Sequence, residues 1–480
     1  EHPEPAGILS LLGMSEDCLP ELPEIPTGLI TTLALAQALH DIDWPSPVWC
    51  LTTGAVSTGP SDPLHSPVQA QIWGLGRVIG LEQPGRWGGL IDLPPTLDDR
   101  ALDRISTVLT GTEDQIALRP TGVLARRLVH APATRPGAAL ALRDTILITG
   151  GTGALATHVA RWATSAGVDR VVLASRRGPS APGAVELREE LAATGVDVEV
   201  LRCDVTDRQA LAELVSEVDS GGSPVRAVVH TAGVGQLTPL PEITGEEFVH
   251  VLRAKVLGAA NLDAVFAGRE LDAFVLFSSI ASIWGSGGQG AYAAANAYLD
   301  AVAVRRRQRG LVATAVAWGP WAEGGMAEGA AGEHLLRHGL PAMPAELAVV
   351  GLRQAVVEGD VVVAVAEVEW ERFAPAYAAS RVWPLIGELP VAVAALERVG
   401  GGEPDEEQSS VLRARLVGMG VEEQRRLLVE LVRSEAAGVL GHASVEGVES
   451  GQAFREMGFD SLTAVELRGR LTAVTGLSLP

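Results

Sequence analysis

Six short apolar runs, each followed by an Ala/Leu/Glu-rich helical stretch, constrain the fold of this 480-residue chain more than any other feature. They lie at 145–149, 170–174, 198–201, 225–230, 274–277 and 314–318. Most lack the apolar–polar alternation of a strand with one wet face, so they read as strands buried on both sides of a parallel sheet. Strand–helix alternation from 141 to about 375 predicts a doubly wound α/β fold.

The first run passes straight into Thr149-Gly150-Gly151-Thr152-Gly153-Ala154-Leu155-Ala156, which fits GxGxxG/A from Gly151 through Gly153 to Ala156. Glycines there let the backbone approach a pyrophosphate seated on a helix N-terminus. A lone glycine fingerprint is weak, but a strand before it and a helix after it favour a dinucleotide site over a structural turn. The second run ends at Ala174-Ser175-Arg176-Arg177, where an NAD protein would usually show Asp or Glu. Two arginines suit the 2′-phosphate of NADPH; the alternative is a solvated surface pair. Asp204-Val205 is placed to hold the adenine, and Thr231-Ala232-Gly233 to lie beside the nicotinamide ribose.

Lys255 is the only lysine in a chain that otherwise uses arginine for its cations. A guanidinium stays charged, whereas an ammonium is a compact point charge whose pKa moves with its surroundings, which suits proton transfer. The alternative is an accident of an arginine-biased genome. Downstream, Ser278-Ser279 ends an apolar run and a glycine-rich loop leads to Ala291-Tyr292-Ala293-Ala294-Ala295-Asn296. Tyr292, one of three tyrosines, falls near a helix start, with Asn296 one turn later on the same face. For acid–base work near neutral pH a phenol needs a nearby cation and hydrogen bonds that favour phenolate. Lys255, Ser279 and Asn296 are the candidates. Ser278 is read as ending the strand.

Acidic residues exceed basic ones by 22, which argues against nucleic acid or an anionic membrane as partner. Cys18, Cys50 and Cys203 are widely separated and fit a reducing, cytoplasmic setting. No run of about twenty apolar residues, no secretory leader and no HExxH or GxSxG motif is present, so neither a membrane span nor a metal site is expected. Residues 1–140 show a similar α/β pattern without a glycine loop and read as a supporting subdomain. Residues 399–410 are polar and turn-rich and read as a linker. Residues 411–480 read as a small helical module.

Together these motifs resemble the ketoreductase of a modular type I polyketide synthase, continuing into an acyl carrier protein and covering nearly the whole chain. Such ketoreductases are short-chain dehydrogenase/reductase relatives in which a degenerate Rossmann-like structural subdomain supports a Rossmann catalytic one. Ordinary members carry Tyr-x-x-x-Lys, but polyketide ketoreductases exchange Lys and Asn. Here Tyr292 is followed by Asn296 and Lys255 lies upstream, which accounts for the single lysine. The resemblance implies a division into 1–140, 141–398, a 399–410 linker and a partial carrier at 411–480. It implies hydride delivery from NADPH to the β-carbon of a β-ketoacyl thioester, with Tyr292 protonating the oxygen and Ser279 hydrogen-bonding it. Lys255 would bind ribose and favour tyrosinate, and Asn296 would orient Lys255 and a relay water.

It also implies a stereochemical type. The Leu-Asp-Asp motif of D-hydroxyl enzymes is replaced after Val234 by Gly235-Gln236-Leu237. Trp284, eight residues before Tyr292, matches the A-type tryptophan of L-hydroxyl enzymes, with groove lining as its alternative. Gln289 stands where epimer-selecting enzymes have histidine, so a non-epimerising A1-like enzyme is expected. Trp318-Gly319-Pro320-Trp321 resembles the strand end before a substrate lid that Gly324-Gly325-Met326 would begin. Gly458-Phe459-Asp460-Ser461-Leu462 resembles the carrier attachment motif, with 4′-phosphopantetheine on Ser461; helix capping is the alternative. The implied partners are an acyl carrier protein bearing a β-ketoacyl chain and further synthase domains in the same polypeptide. The chain stops at Pro480 before the family's last helices, and its opening shows no first strand of the structural subdomain, so both ends look incomplete. A redox-dead scaffold and a free-standing alcohol dehydrogenase of the same fold are the competing readings. The intact Tyr292 and glycine loop weigh against the first, and the N-terminal subdomain and Ser461 against the second.

Overall fold

The computed structural model describes residues 5–19, 22–131, 142–322, 324, 329–378, 381, 383–400, 406–440, 444–454, 457, 459 and 461–477. Contacts gather the chain into two compact units: Glu1–Arg126 with His130–Val368, and Arg127–Val129 with Glu369–Pro480.

The first unit opens with β1 (Ile8–Ser10), the hairpin β2 (Cys18–Leu19) and β3 (Leu22–Pro26), and α1 (Thr27–Asp41). It continues through β4 (Val48–Thr53), α2 (Pro67–Glu82), β5 (Trp87–Leu93), α3 (Asp99–Leu109), β6 (Gln115–Arg119) and β7 (Gly122–Ala125). These build a five-stranded sheet in the order β1-β4-β5-β6-β7, parallel except for the β6–β7 pair. The expectation that the opening lacks a first strand is therefore corrected: Ile8, Leu9 and Ser10 pair in parallel with Val48, Trp49 and Cys50. A three-residue strand at a sheet edge is too short for periodicity to reveal.

The carboxyl ends of β4, β5 and β6, where a Rossmann sheet keeps its ligand crevice, are filled by the subdomain's own side chains. Fully buried Asp92 accepts hydrogen bonds from Thr52 Oγ1 (2.7 Å), the Ala55 amide (2.9 Å) and Arg119 Nη2 (2.8 Å), while Arg119 Nε donates to Asp62 (2.8 Å). Removing one partner of a buried ion pair strands the other charge, at a cost of about 3 kcal/mol or more. Asp92→Ala is accordingly expected to lower the thermal unfolding midpoint of the first unit; an unchanged midpoint would show that Asp62 alone satisfies Arg119.

The second half of this unit comprises β8 (Thr145–Thr149), α4 (Ala154–Ser165), β9 (Arg170–Ser175), α5 (Ala184–Ala192), β10 (Asp197–Arg202), α6 (Arg208–Ser220) and β11 (Val225–His230). After these come α7 (Gly245–Val265), β12 (Ala273–Ser279), α8 (Ala281–Trp284), α9 (Gly290–Gln308), β13 (Thr314–Trp318), α10 (Ala330–Arg337), α11 (Ala345–Glu358) and β14 (Val362–Val365). They form an all-parallel sheet ordered β10-β9-β8-β11-β12-β13-β14. Strand order reverses between β8 and β11, which creates a switch-point crevice at their carboxyl ends.

The alanine richness of α9 has a packing cause. Nearly every residue from Gly290 to Ala303 is buried, because α9 is covered by the sheet and α7 and also by α2 of the first half. At Gly74 of α2 a Cβ would stand 2.3 Å from the Ala293 carbonyl oxygen, so only glycine permits this approach. At its other end α9 is locked to α7 by fully buried Arg306, which donates to Asp263 (2.8 Å) and stacks on Phe274. Residues 1–126 and the catalytic half thus share one unit.

The second unit holds α12 (Trp370–Ala378), α13 (Pro390–Gly400), α14 (Glu406–Val417), α15 (Val421–Leu440) and α16 (Ser461–Thr475). Contacts divide the chain after Val368, and in the second unit α12 and α13 pack on one another beside the stacked rings of Phe373, Tyr377 and Trp383. Of residues 399–410, the first two close α13 and 406–410 begin α14, while 401–405 lie outside the described residues. Among the described residues no helix is long and apolar enough to cross a membrane.

Candidate active site

The glycine loop and the end of β11 face each other across the switch point. Gly150 has φ +74, and a Cβ there would meet the Ala232 amide nitrogen at 2.7 Å, while at Gly151 it would meet Leu173 Cα at 2.8 Å. Gly153 occupies the N-cap of α4 with no side chain to satisfy the first amides, and both it and Ala154 are exposed; Thr152 and Leu155 are half-buried. Open helix amides behind a glycine turn suit a pyrophosphate. The edges of the crevice carry the other expected residues. Ser175 Oγ accepts from the Gly178 amide (3.1 Å), and Arg176 and Arg177 are exposed. Asp204 Oδ1 accepts from the Thr206 amide and hydroxyl next to buried Val205, and Thr231 Oγ1 donates to the Thr149 carbonyl (2.8 Å). The donor set fits a nicotinamide dinucleotide.

On the β12 side, four further residues converge. Lys255, from the middle of α7, lies along Gly233, where a Cβ would stand 2.7 Å from its Cε. Its ammonium donates to the Phe277 carbonyl (2.7 Å) and sits 5.5 Å from the Tyr292 ring centroid. Tyr292 occupies the first turn of α9, and Ser279 ends β12 with its hydroxyl beside the phenol. The neighbouring Ser278 hydroxyl instead turns to Ser282 Oγ and the Asn296 carbonyl (both 3.3 Å). Asn296, fully buried, donates from Nδ2 to the Tyr292 carbonyl (2.8 Å), and its Oδ1 has no partner among the described residues.

The amide of Asn296 is not hydrogen-bonded to Lys255, because α9 turns it back onto its own first turn while Phe277 takes the ammonium proton. The phenol of Tyr292 is pushed up by burial, against the opposing pull of Ser279 and Asn296. Desolvation therefore outweighs the hydrogen bonds, and the group stays a protonated acid. Burial likewise pushes the Lys255 ammonium down to about 7, although Asp300 on α9 opposes it. Asp300 accepts from Ser282 Oγ (2.6 Å), and burial raises its carboxyl.

Three contributors escaped the sequence reading. His230, the last residue of β11, shares a hydrogen bond with Thr149 Oγ1 (2.7 Å), and burial and then the Lys255 charge push it down to about 3, so it is neutral. Gln236 and Glu82 bind the loops on either side of Tyr292. His230 ends an apolar run and Gln236 stands where the Leu-Asp-Asp motif would be, but neither pattern, nor anything around Glu82, indicates the partner each one binds. Trp284 is buried at the end of α8, Gln289 is half-buried at the N-cap of α9, and Gly324 has φ +123. Met326 lies outside the described residues.

In the second unit Ser461 opens α16, with Gly458 and Asp460 outside the described residues. Phe459 packs edge-on against Phe454 within a small core that includes Ala436, Val448 and Leu467.

Residues 144–323 match the KR domain family, residues 18–128 match "Polyketide synthase extender module SpnB, Rossmann fold domain", and residues 430–480 match the phosphopantetheine attachment site. The chain is 50% identical over 482 residues to polyketide synthase GfsA of Streptomyces halstedii, across 98% of this chain and 6% of that protein. It is 47% identical over 464 residues to pikromycin polyketide synthase component PikAIII of Streptomyces venezuelae, across 94% of this chain and 30% of the relative. It thus spans less than a third of either relative. A solved structure of an A1-type ketoreductase superposes with a TM-score of 0.80 at 48% identity, covering 82% of this chain and 84% of that one.

Proposed function

The chain belongs to the ketoreductase family of modular polyketide synthases, joined here to a phosphopantetheine attachment domain, and on that premise we propose its reaction in detail. It reduces a β-ketoacyl thioester, presented by an acyl carrier protein, to the L-β-hydroxyacyl thioester with NADPH, as an A1-type enzyme that leaves the α-carbon unepimerised. The observation that carries this reading is the convergence of Tyr292, Ser279 and Lys255 at the strand ends beside the glycine loop.

The nicotinamide, when bound, supplies the hydride that the β-carbon accepts. The protein's own part is to stabilise and then protonate the oxygen left negative. Ser279 donates a hydrogen bond to that oxygen, and the raised phenol of Tyr292 transfers its proton to it. Lys255 offsets the negative charge that then resides on tyrosinate. Thr149 through Leu155, with Thr231, Ala232 and Gly233, would cradle the dinucleotide; Arg176 and Arg177 would meet its 2′-phosphate, and Asp204 and Val205 its adenine. Trp284, Gln289 and Met326 would bear on stereochemistry, and Ser461 would carry the 4′-phosphopantetheine. Other synthase domains in the same polypeptide would supply and receive the chain.

The test is incubation with NADPH or NADH and a 2-methyl-3-ketopentanoyl thioester, followed by chiral chromatography. The expected outcome is an L-hydroxyl with unepimerised methyl and faster turnover with NADPH. A D-hydroxyl product would overturn the role given to Trp284. Tight NADPH binding without any product would favour a non-catalytic scaffold.

A further inference from the structure

Helix α9 carries Tyr292 as its third residue, yet it has no N-cap of its own. Gln289 stands at the cap position without capping, so the amides of the first turn need an acceptor from elsewhere. Gln236 supplies it. From the loop between β11 and α7, its Oε1 accepts from the amides of Ala291 (2.9 Å) and Tyr292 (3.3 Å). Its Nε2 donates to Glu247 Oε1 (3.1 Å) in the first turn of α7, the helix that carries Lys255. Two amide donors on one side and a carboxylate on the other admit only one orientation of the side-chain amide. One buried side chain therefore joins the N-termini of the two helices that bring Tyr292 and Lys255 together.

The loop that holds Gln236 is itself clamped from the supporting half. Glu82, at the end of α2, accepts from the Leu240 amide with Oε2 and from the Gly288 amide with Oε1 (both 2.7 Å). Gln37 of α1 donates to the carbonyls of Leu240 and Ile243 (both 2.9 Å), and the Thr238 amide donates to the Gly288 carbonyl (2.8 Å). The loop before α7 and the loop before α9 are thus held to each other and to the supporting subdomain.

We propose that Gln236 is a positioning residue that sets Tyr292 in register with Lys255, with Glu82 fixing the loop from which it acts. Its hydrogen bonds go to the Ala291 and Tyr292 amides and to Glu247, and its contribution to turnover rests on the reaction proposed above. Gln236→Met keeps the bulk and removes both hydrogen-bonding functions, whereas Gln236→Glu combined with Glu247→Gln keeps an acceptor that a helix N-terminus favours and moves the amide donor to position 247, so that no two carboxylates face each other.

The decisive measurement is amide hydrogen exchange of the 290–296 segment alongside kcat and KM in the full chain. Gln236→Met is expected to speed exchange there by roughly fivefold or more and to lower kcat by roughly 10- to 100-fold with little change in KM. The double variant Gln236→Glu/Glu247→Gln is expected to stay near the parent in both. Exchange and kcat in Gln236→Met within twofold of the parent would overturn the proposal. So would faster exchange throughout the chain in Gln236→Met that recurs in the double variant, since that marks a residue needed only for folding. If the parent chain fails to reduce the thioester, the proposed reaction falls, and exchange, which needs no turnover, still decides the role of Gln236.

Discussion

Tyr292→Phe is expected to slow thioester reduction on the order of 10³-fold, within the range a positioned general acid contributes, while NADPH binding stays near that of the parent. Phenylalanine keeps the ring that fills the space beside Lys255, so the helix and its neighbours need not move. What disappears is the proton. Because burial raises the phenol, the parent holds that proton throughout the neutral range, and no titration of Tyr292 itself limits the rate there. Ser279 remains in the variant to hydrogen-bond the developing oxyanion, which leaves a residual rate above solution. Single-turnover oxidation of bound NADPH separates the chemical step from binding and release. A rate within tenfold of the parent would move the acid role away from the phenol.

The contrast between what was and was not readable in the chain follows from the range of the interactions. The glycine loop, the β11 end and the Tyr292–Asn296 pair are local patterns, and the structure places them about one crevice. The buried strands β8 to β13 were legible because apolar runs between helical segments are local as well. Glu82 and Gln236 depend on partners up to 206 residues away, and although Gln236 falls at a motif position, nothing in either neighbourhood names those partners. The edge strand β1 failed for the opposite reason, since three residues carry too little pattern to register. The direction of the Tyr292 shift is not legible in the sequence, because hydrogen-bond donors can be read from residue types while the depth of burial that outweighs them cannot.

Lys255 is the site where charge, burial and function conflict most, and its being the only lysine makes it directly observable. Protein labelled at the lysine ε-carbon with carbon-13 should show one lysine resonance, titrating near pH 7, where an exposed ammonium would titrate at its ordinary 10.5. The sign for stability follows from that depression. Between about 7 and 10.5 the unfolded chain holds a proton that the folded chain has released, so folding stability rises with pH across that window, and below it the full penalty of a buried charge is present. Lys255→Met is therefore expected to raise the unfolding midpoint most at or below neutral pH, and to gain nothing above about 10.5. Catalysis has the reverse dependence. The charged form is the one that supports tyrosinate, so kcat/KM should fall as pH rises through about 7. Lys255→Arg keeps a charge at every pH but cannot retain the fit: the stem already lies where a Cβ on Gly233 would stand 2.7 Å away, and a planar guanidinium spreads what the ammonium concentrates. Its activity is expected to drop on the order of 10²-fold, with the fall above pH 7 abolished. A Lys255→Arg variant that turns over normally, or a lysine resonance that titrates near 10.5, would show that the chain keeps its one lysine for some other reason than a compact charge held under strain.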